Sequence, residues 1–315
     1  MTKPIIFLQR PFRAEFIAKI QTMAPAYQIR TTLTPEEVPF VEISVDWSKE
    51  YGTALLQSNQ LKWVQASTAG VDYLPLGAFS ERKILLSNSS GLHALSISEH
   101  IIGVLLGYYR GLNESLKNQT QKKWNKHLIH YDQLAGKNLL VVGTGQIGQQ
   151  LSKSIQGLGV NVYGINTTGH PVTGFIETYS IKNLAKIVPE MDVIVGILPG
   201  TPDTYHIFNS DIFEKMKDSA VFINVGRGDT LHTKELISAL EKKQLAFAAL
   251  DVFEEEPLGN ESPLWEMENV VITPHISGLT VDFQNKFMKI FLTNLKSYLE
   301  NNELAINQVA LDRGY

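Results

Sequence analysis

The chain has 315 residues, of which 43% are hydrophobic and 19% charged, with no cysteine and a formal net charge of −4. That length and apolar content allow two cored domains, and an acidic balance with a pI near 6.1 offers no broad positive field for nucleic acid. Without cysteine there are no disulfides, no thiolate metal site and no cysteine nucleophile, which suits the cytoplasm.

The opening MTKPIIFLQRPF has too short an apolar run for a secretory signal, and IIGVLLGYY falls short of a membrane span, so no membrane partner is expected. PIIFLQ reads as a buried strand, RAEFIAKIQTMA as a helix, and YQIRTTL, LKWVQAS and KILLSNS as further strands of one open α/β unit. Over residues 96–124, SISEHIIGVLLGYYRGLNESLKNQTQKKW starts apolar and becomes polar, which predicts one long helix bridging into a second unit. There strands and helices alternate: NLLVVG, GQIGQQLSKSIQGLG, NVYGIN, IKNLAKIVPEM, DVIVGIL, NSDIFEKM, AVFINVG, HTKELISALEKKQ, AFAALDVF and NVVITPHI. This rhythm predicts a parallel, doubly wound sheet with ligands at the carboxyl ends of its strands. The last helix, VDFQNKFMKIFLTNLKSYLENN, follows the completed sheet and is expected to return to the first domain. The expected division is therefore 1–98 completed by 283–315, and 99–282.

VVGTGQIG joins a strand to a helix. Gly143 suits the tight turn, Gly145 lets backbone approach a pyrophosphate, Gly148 allows close packing, and the helix start at Gln146 and Ile147 supplies amide donors. The lack of a Gly-Lys-Ser/Thr ending argues against a nucleotide triphosphatase. The next strand runs into VYGINTTGH, which offers Asn166, Thr167 and Thr168 to the adenosine ribose where an acidic residue would select NADH. Their hydrogen-bond donors, with His170 adding charge at low pH, lean the expectation toward NADP(H) while admitting both cofactors.

INVGRGDTL, ALDVFEEEPL and VVITPHISG each end a predicted strand, with Arg227, Glu256 and His275 respectively. An arginine to grip a carboxylate, a histidine to protonate an alkoxide and a carboxylate to keep that histidine protonated are what reduction of a 2-keto acid needs. Glu254 and Glu255 precede Glu256 and look like a solvated acidic run. His100 reads as packing or capping the bridge helix, and Trp124 as simple core.

The chain resembles the D-isomer-specific 2-hydroxyacid dehydrogenases, and within them the glyoxylate/hydroxypyruvate reductase and phosphoglycerate dehydrogenase-like branch. The resemblance rests on LKWVQASTAGVD, SGLHALSISEH, VVGTGQIG, LPGTPDT, NVGRG, LDVFEEEPL, TPHISG and the ending RGY, which fall in the family's order across nearly the whole chain. It implies two Rossmann-like or flavodoxin-like α/β domains with the active site in the cleft between them, NAD(P)(H) as cofactor, a small 2-keto or 2-hydroxy acid as substrate, no metal, and a homodimer with residues 117–134 as a candidate arm. It also implies catalytic Arg227, Glu256 and His275; Asp251 near the nicotinamide amide; Pro199, Thr204, Val225 and Gly278 along the cofactor; backbone amides of Thr68, Ala69 and Gly70 at the substrate carboxylate; and His93 lining the substrate pocket. A dinucleotide-sensing corepressor is the alternative that the fold allows, and formate dehydrogenation is disfavoured by Glu256. The chain departs from the family in the NTTGH turn and at Ala310, where an aspartate is common.

Overall fold

The computed structural model describes residues 3–127 and 131–312. The chain forms two compact units, one made of the residues up to His93 and from Thr280 onward, the other of Ala94–Leu279. Both sheets are parallel throughout, as the α/β reading of the sequence expects.

In the first unit, β1 (Ile5–Leu8), β2 (Gln28–Arg30), β3 (Val41–Val45), β4 (Trp63–Gln65) and β5 (Leu85–Ser87) pair in the order β2-β1-β3-β4-β5, the flavodoxin-like arrangement. Helices α1 (Ala14–Met23), α2 (Lys49–Gln57), α3 (Leu76–Glu81) and the C-terminal α10 (Phe283–Asn301) belong to this unit. Phe287, Met288, Phe291, Leu295 and Tyr298 recur at helical spacing along α10 and are buried with Trp63. Trp63 stacks on Phe291 at 5.3 Å and donates from Nε1 to Ser87 Oγ at 2.8 Å. Strand β3 is absent from the strand pattern read above, because Glu42 interrupts its apolar run. The fold accommodates that carboxylate with two phenols, Tyr27 at 2.6 Å and Tyr298 at 2.9 Å. Burial, reinforced by Glu42, pushes both tyrosines upward.

In the second unit, β6 (Asn138–Val142), β7 (Asn161–Asn166), β8 (Thr178–Ser180), β9 (Val193–Gly196), β10 (Val221–Asn224), β11 (Phe247–Leu250) and β12 (Val270–Ile272) pair in the order β12-β11-β10-β9-β6-β7-β8. The order reverses between β6 and β9, as in dinucleotide-binding sheets. Alternate residues feed two cores, with Leu140, Val142, Ile194 and Phe222 in one and Leu139, Val141, Val193 and Ile223 in the other. Burial of both faces explains the nearly continuous apolar runs of the inner strands β6, β9, β10 and β11, whereas the edge strand β8, Thr-Tyr-Ser, is half-buried and absent from the strand pattern read above.

The single long helix expected over 96–124 is two helices, α4 (Ala94–Tyr109) and α5 (Leu112–Thr120), separated at Gly111 in the left-handed region with φ 64°. Trp124, read as core, is 97% exposed, because the chain beyond α5 leaves the packed surface. The remaining helices are α6 (Gln146–Ile155), α7 (Leu184–Ile187), α8 (Ser210–Phe213) and α9 (Thr233–Glu241). Helix α7 is shorter than the expected 181–191, with 3₁₀ turns on either side and Pro189 in the second. The middle of the candidate arm, 128–130, and the RGY ending, 313–315, lie outside the described residues. Among the described residues no helix is long and apolar enough to cross a membrane.

Candidate active site

The glycine loop joins β6 to α6. A Cβ on Gly148 would stand 2.3 Å from the Gly143 carbonyl oxygen, so this helix packs against its own entry loop at a distance only glycine permits. Gly145, the N-cap, has no side-chain cap, and the space where its Cβ would stand is open. The first amides of α6, starting at Gln146 and Ile147, therefore face a space that backbone can border closely, and they carry the positive end of the helix dipole. That donor set fits the pyrophosphate of a dinucleotide.

At the end of β7 the side chain of Asn166 is consumed by its own turn. Its Oδ1 accepts from the Gly169 amide at 2.6 Å, and its Nδ2 donates to the His170 carbonyl at 2.9 Å and reaches Thr144 Oγ1 at 3.3 Å. Thr167 and Thr168 are exposed, and Thr168 Oγ1 lies 3.0 Å from His170 Nδ1. Thr178 donates to the His170 carbonyl and Ser180 to the Thr167 carbonyl, tying the turn to β8.

The turn that follows Arg227 packs on the loop that carries Glu256, and Glu256 in turn contacts His275. Arg227 follows β10 in extended backbone, and its carbonyl accepts from Thr230 Oγ1 at 2.7 Å and Asn224 Nδ2 at 3.1 Å. A Cβ on Gly228 would come within 1.9 Å of the Phe253 carbonyl, so the arginine's turn is wedged against the loop that follows β11. In that loop the Phe253 amide donates to Glu256 Oε1 at 3.1 Å, and Glu256 Oε2 lies 2.8 Å from His275 Nδ1. Both partners keep solvent access, with 51% of the His275 side chain and 37% of Glu256 exposed.

His275 has φ 54°, a strained conformation for a residue other than glycine. Asp251, 1% exposed, holds the turn in this shape. Its Oδ1 accepts from Thr273 Oγ1 at 2.6 Å and the Ile276 amide at 2.9 Å, its Oδ2 from the Ser277 amide at 3.0 Å, and its carbonyl from the His275 amide at 2.9 Å. Expected beside the nicotinamide amide, Asp251 spends both carboxylate oxygens on the histidine's loop. Thr273, which no pattern singled out, is part of this anchor, with His100 Nε2 at 3.4 Å from its hydroxyl.

Thr204 closes a capping box with Thr201, and its hydroxyl donates to the Pro199 carbonyl at 2.7 Å, which shapes the loop after β9. Val225 is buried, and Gly278 follows the Asp251-bound turn. Glu254 belongs to no solvated run: it accepts from the Thr233 amide at 2.9 Å and lies 2.6 Å from His206 Nε2. Burial raises its pKa, but the bonds to Thr233 and His206 outweigh it and hold the carboxyl below the usual glutamate range. This clamp joins residues too far apart in sequence for any local signal.

In the first unit, the carbonyls of Thr68, Ala69 and Gly70 are all engaged, by the Ser89 amide, Asn88 Nδ2 and Thr68 Oγ1 respectively. Among the described residues nothing accepts from the amides of these three. His93 stacks on Phe283 at 6.3 Å between centroids.

A crossover that presents uncapped helix amides, followed along the same sheet edge by a fixed histidine–carboxylate pair, is the architecture of a nicotinamide-dependent oxidoreductase. The family model for the D-isomer specific 2-hydroxyacid dehydrogenase, NAD binding domain, matches residues 102–277, and the chain belongs to that family. It is an NAD(P)-dependent 2-hydroxyacid dehydrogenase, an enzyme that binds NAD(P)(H). A glyoxylate reductase of Thermofilum pendens is 30% identical over 246 residues, 76% of this chain and 72% of that protein. The crystal structure of a D-isomer specific 2-hydroxyacid dehydrogenase family protein from Aeromonas salmonicida matches with a TM-score of 0.85 and 32% identity, over 99% of this chain and 100% of that one. An NADPH-dependent glyoxylate/hydroxypyruvate reductase from Sinorhizobium meliloti, solved with NADP and sulfate, matches with a TM-score of 0.81 and 25% identity over 100% of both chains.

Proposed function

We propose that the enzyme reduces a small 2-keto acid to the D-2-hydroxy acid, with His275 as the acid, Glu256 as its partner and Arg227 as the substrate clamp. The observation that carries this reading is the 2.8 Å contact of His275 Nδ1 with a glutamate whose other oxygen is held by backbone. It leaves Nε2 as the atom that delivers a proton to the carbonyl oxygen and recovers one in the reverse direction. Arg227 orients carboxylate and carbonyl through its planar fork, and the unengaged amides of Thr68, Ala69 and Gly70 hold the carboxylate from the first unit. Gly143, Gly145 and the amides of Gln146 and Ile147 border the pyrophosphate, Gly148 allows the helix to approach, and Pro199, Thr204, Val225 and Gly278 line the remaining length. The bound nicotinamide supplies the hydride.

The ribose turn carries no carboxylate to repel a 2'-phosphate, and Thr167, Thr168 and His170 offer it polar groups, so NADPH is favoured over NADH. Two copies associate largely through the dinucleotide domains, with residues 117–134 as an arm that covers the exposed Trp124 and Tyr131. His275→Ala and Arg227→Ala are each expected to lower kcat by about 10² to 10⁴ while NADPH still binds. Near-normal reduction of glyoxylate or hydroxypyruvate by either variant removes that residue from the mechanism.

A further inference from the structure

His206 lies in the loop that follows β9, in the left-handed region with φ 50°, and no step of the proposed reduction uses it. Its backbone and its ring reach two different loops. The His206 amide donates to the Asp229 carbonyl at 2.8 Å, two residues after Arg227. Its Nε2 lies 2.6 Å from Glu254 Oε1, two residues before Glu256. One residue of a third loop therefore holds both the turn that follows Arg227 and the loop that carries the partner of His275.

Each attachment is secured on its far side. Toward Arg227, the Phe208 amide donates to the Thr230 carbonyl at 3.0 Å and the His232 amide to the Phe208 carbonyl at 2.9 Å, a short parallel bridge that sets Phe208 beside Leu231. Phe208 is fully buried, which anchors this bridge in the core of the second unit. A Cβ on Gly200 would stand 3.5 Å from Arg227 Cγ, so the same loop also runs along the arginine's stem. Toward Glu256, Glu254 Oε2 accepts from the Thr233 amide at 2.9 Å and leaves Oε1 to the imidazole. An ionised carboxylate only accepts, so His206 Nε2 carries the proton and donates it in a charge-assisted bond. Tyr205 stacks on the ring at 3.9 Å between centroids, and His232 stands 4.6 Å away on another side, its own Nε2 3.5 Å from Glu235 Oε1.

Two kinds of force act between the Arg227 turn and the Glu256 loop. Gly228 meets the Phe253 carbonyl so closely that no Cβ fits between them, and such a contact resists approach steeply but resists separation only weakly. Hydrogen bonds resist separation. The path from the Asp229 carbonyl through His206 to Glu254 is made of two of them, one to each loop, and it holds the loops against parting where the packing does not. Glu256 contacts His275, so a change in that spacing moves the acid relative to the arginine, and a misplacement of about 1 Å can cost about 10²-fold in rate. We propose that His206 is a positioning residue, a tie that fixes the spacing between the Arg227 turn and the Glu256 loop. The assignment rests on the reading of Arg227, Glu256 and His275 as the groups that act on the substrate.

The test compares His206→Leu with His206→Gln, which bear similar backbone strain and differ in the donor, because the glutamine amide nitrogen can stand where Nε2 stood. In His206→Leu, hydrogen exchange should quicken in both 228–233 and 253–256 and stay unchanged in 138–166. With NADPH and whichever of glyoxylate, hydroxypyruvate and pyruvate the wild type reduces fastest, kcat should fall about tenfold while the NADPH Kd stays within about twofold. The isotope effect with NADPH deuterated at the transferred position should rise, as hydride transfer becomes the slower step. His206→Gln should recover kcat to within about threefold of wild type. Glu254→Leu should also lower kcat, and the double variant with His206→Leu by less than the product of the two losses. A merely structural residue would lower Tm and leave kcat and the isotope effect in place well below it. Unchanged kcat and isotope effect in His206→Leu, a glutamine variant as slow as the leucine one, or multiplicative losses in the double variant overturns the tie. Near-normal turnover by Arg227→Ala and His275→Ala removes the catalytic reading itself, whereas loss in those two beside an unaffected His206→Leu removes only the tie.

Discussion

Asp251→Asn separates two roles for a buried carboxylate. In the wild type its oxygens take three donors, Thr273 Oγ1 and the Ile276 amide on one side and the Ser277 amide on the other. Asparagine keeps an oxygen for the first pair and turns an N–H₂ group toward the Ser277 amide, donor against donor. Ser277 is 5% exposed, so water cannot replace the lost acceptor, and a buried unpaired donor costs about 1–3 kcal/mol. For a unit of this size each kcal/mol lowers Tm by roughly 2–4 °C. The loosened turn carries His275 in its strained conformation, and a displacement of its ring by about 1 Å can cost about 10²-fold in rate. The expected outcome is a lower Tm and a kcat reduced at least about tenfold, with the NADPH Kd, measured by fluorescence quenching, little changed. A weakened NADPH Kd with Tm and kcat intact would refute the argument and make Asp251 a cofactor ligand.

Glu256→Gln removes the negative charge beside His275 and should lower kcat by about tenfold or more with the NADPH Kd little changed; an unchanged kcat counts against the pair. Asn166→Asp retains an acceptor for the Gly169 amide and adds a charge at the ribose turn, so the ratio of kcat/KM for NADPH over NADH should fall by about tenfold, and a fixed ratio would show that another site decides. Glu254 sits below the usual glutamate range, so its contribution to stability is present at neutral pH and lost as pH falls through that lowered value. Glu254→Gln should therefore lower Tm at pH 7 by an amount that shrinks as the pH is lowered through that carboxyl's own titration, and a loss independent of pH would mean that its charge is irrelevant.

Six strands of the second sheet were legible because strands buried on both faces are apolar throughout, and the loops between them carry glycine, proline and asparagine; the edge strand β8, Thr-Tyr-Ser and only half-buried, offers no such run and was missed. The Glu256–His275 pair was legible, with Arg227 expected beside it, for a related reason: parallel strands end on one edge, so residues just past neighbouring strand ends emerge on one side. What escaped depended on partners distant in sequence. Strand β3 hides behind Glu42, which is acceptable in a sheet only once Tyr27 and Tyr298 arrive. The break between α4 and α5 follows from a left-handed Gly111 that helical periodicity does not register, and Trp124 was assigned by residue type, which says nothing of where its backbone runs. Asn166 was visible as a donor, but its own turn uses that capacity, and the same holds for Asp251. Chemical type reads from sequence; whether a group is already spoken for does not.

The left-handed backbone at His275 sets durability against purpose. Glycine would occupy that position without strain, whereas an L-residue there costs about 1–2 kcal/mol. On the proposed role of His275 as the acid, the imidazole is kept against a small but constant thermodynamic pull toward its loss. A lineage released from the need to turn over substrate could drop the ring and gain stability in the same step, keeping the dinucleotide sheet and its helix amides intact. If His275 is the acid, a protein that binds the nucleotide without turning over substrate would be one substitution away, on the downhill side of the folding landscape.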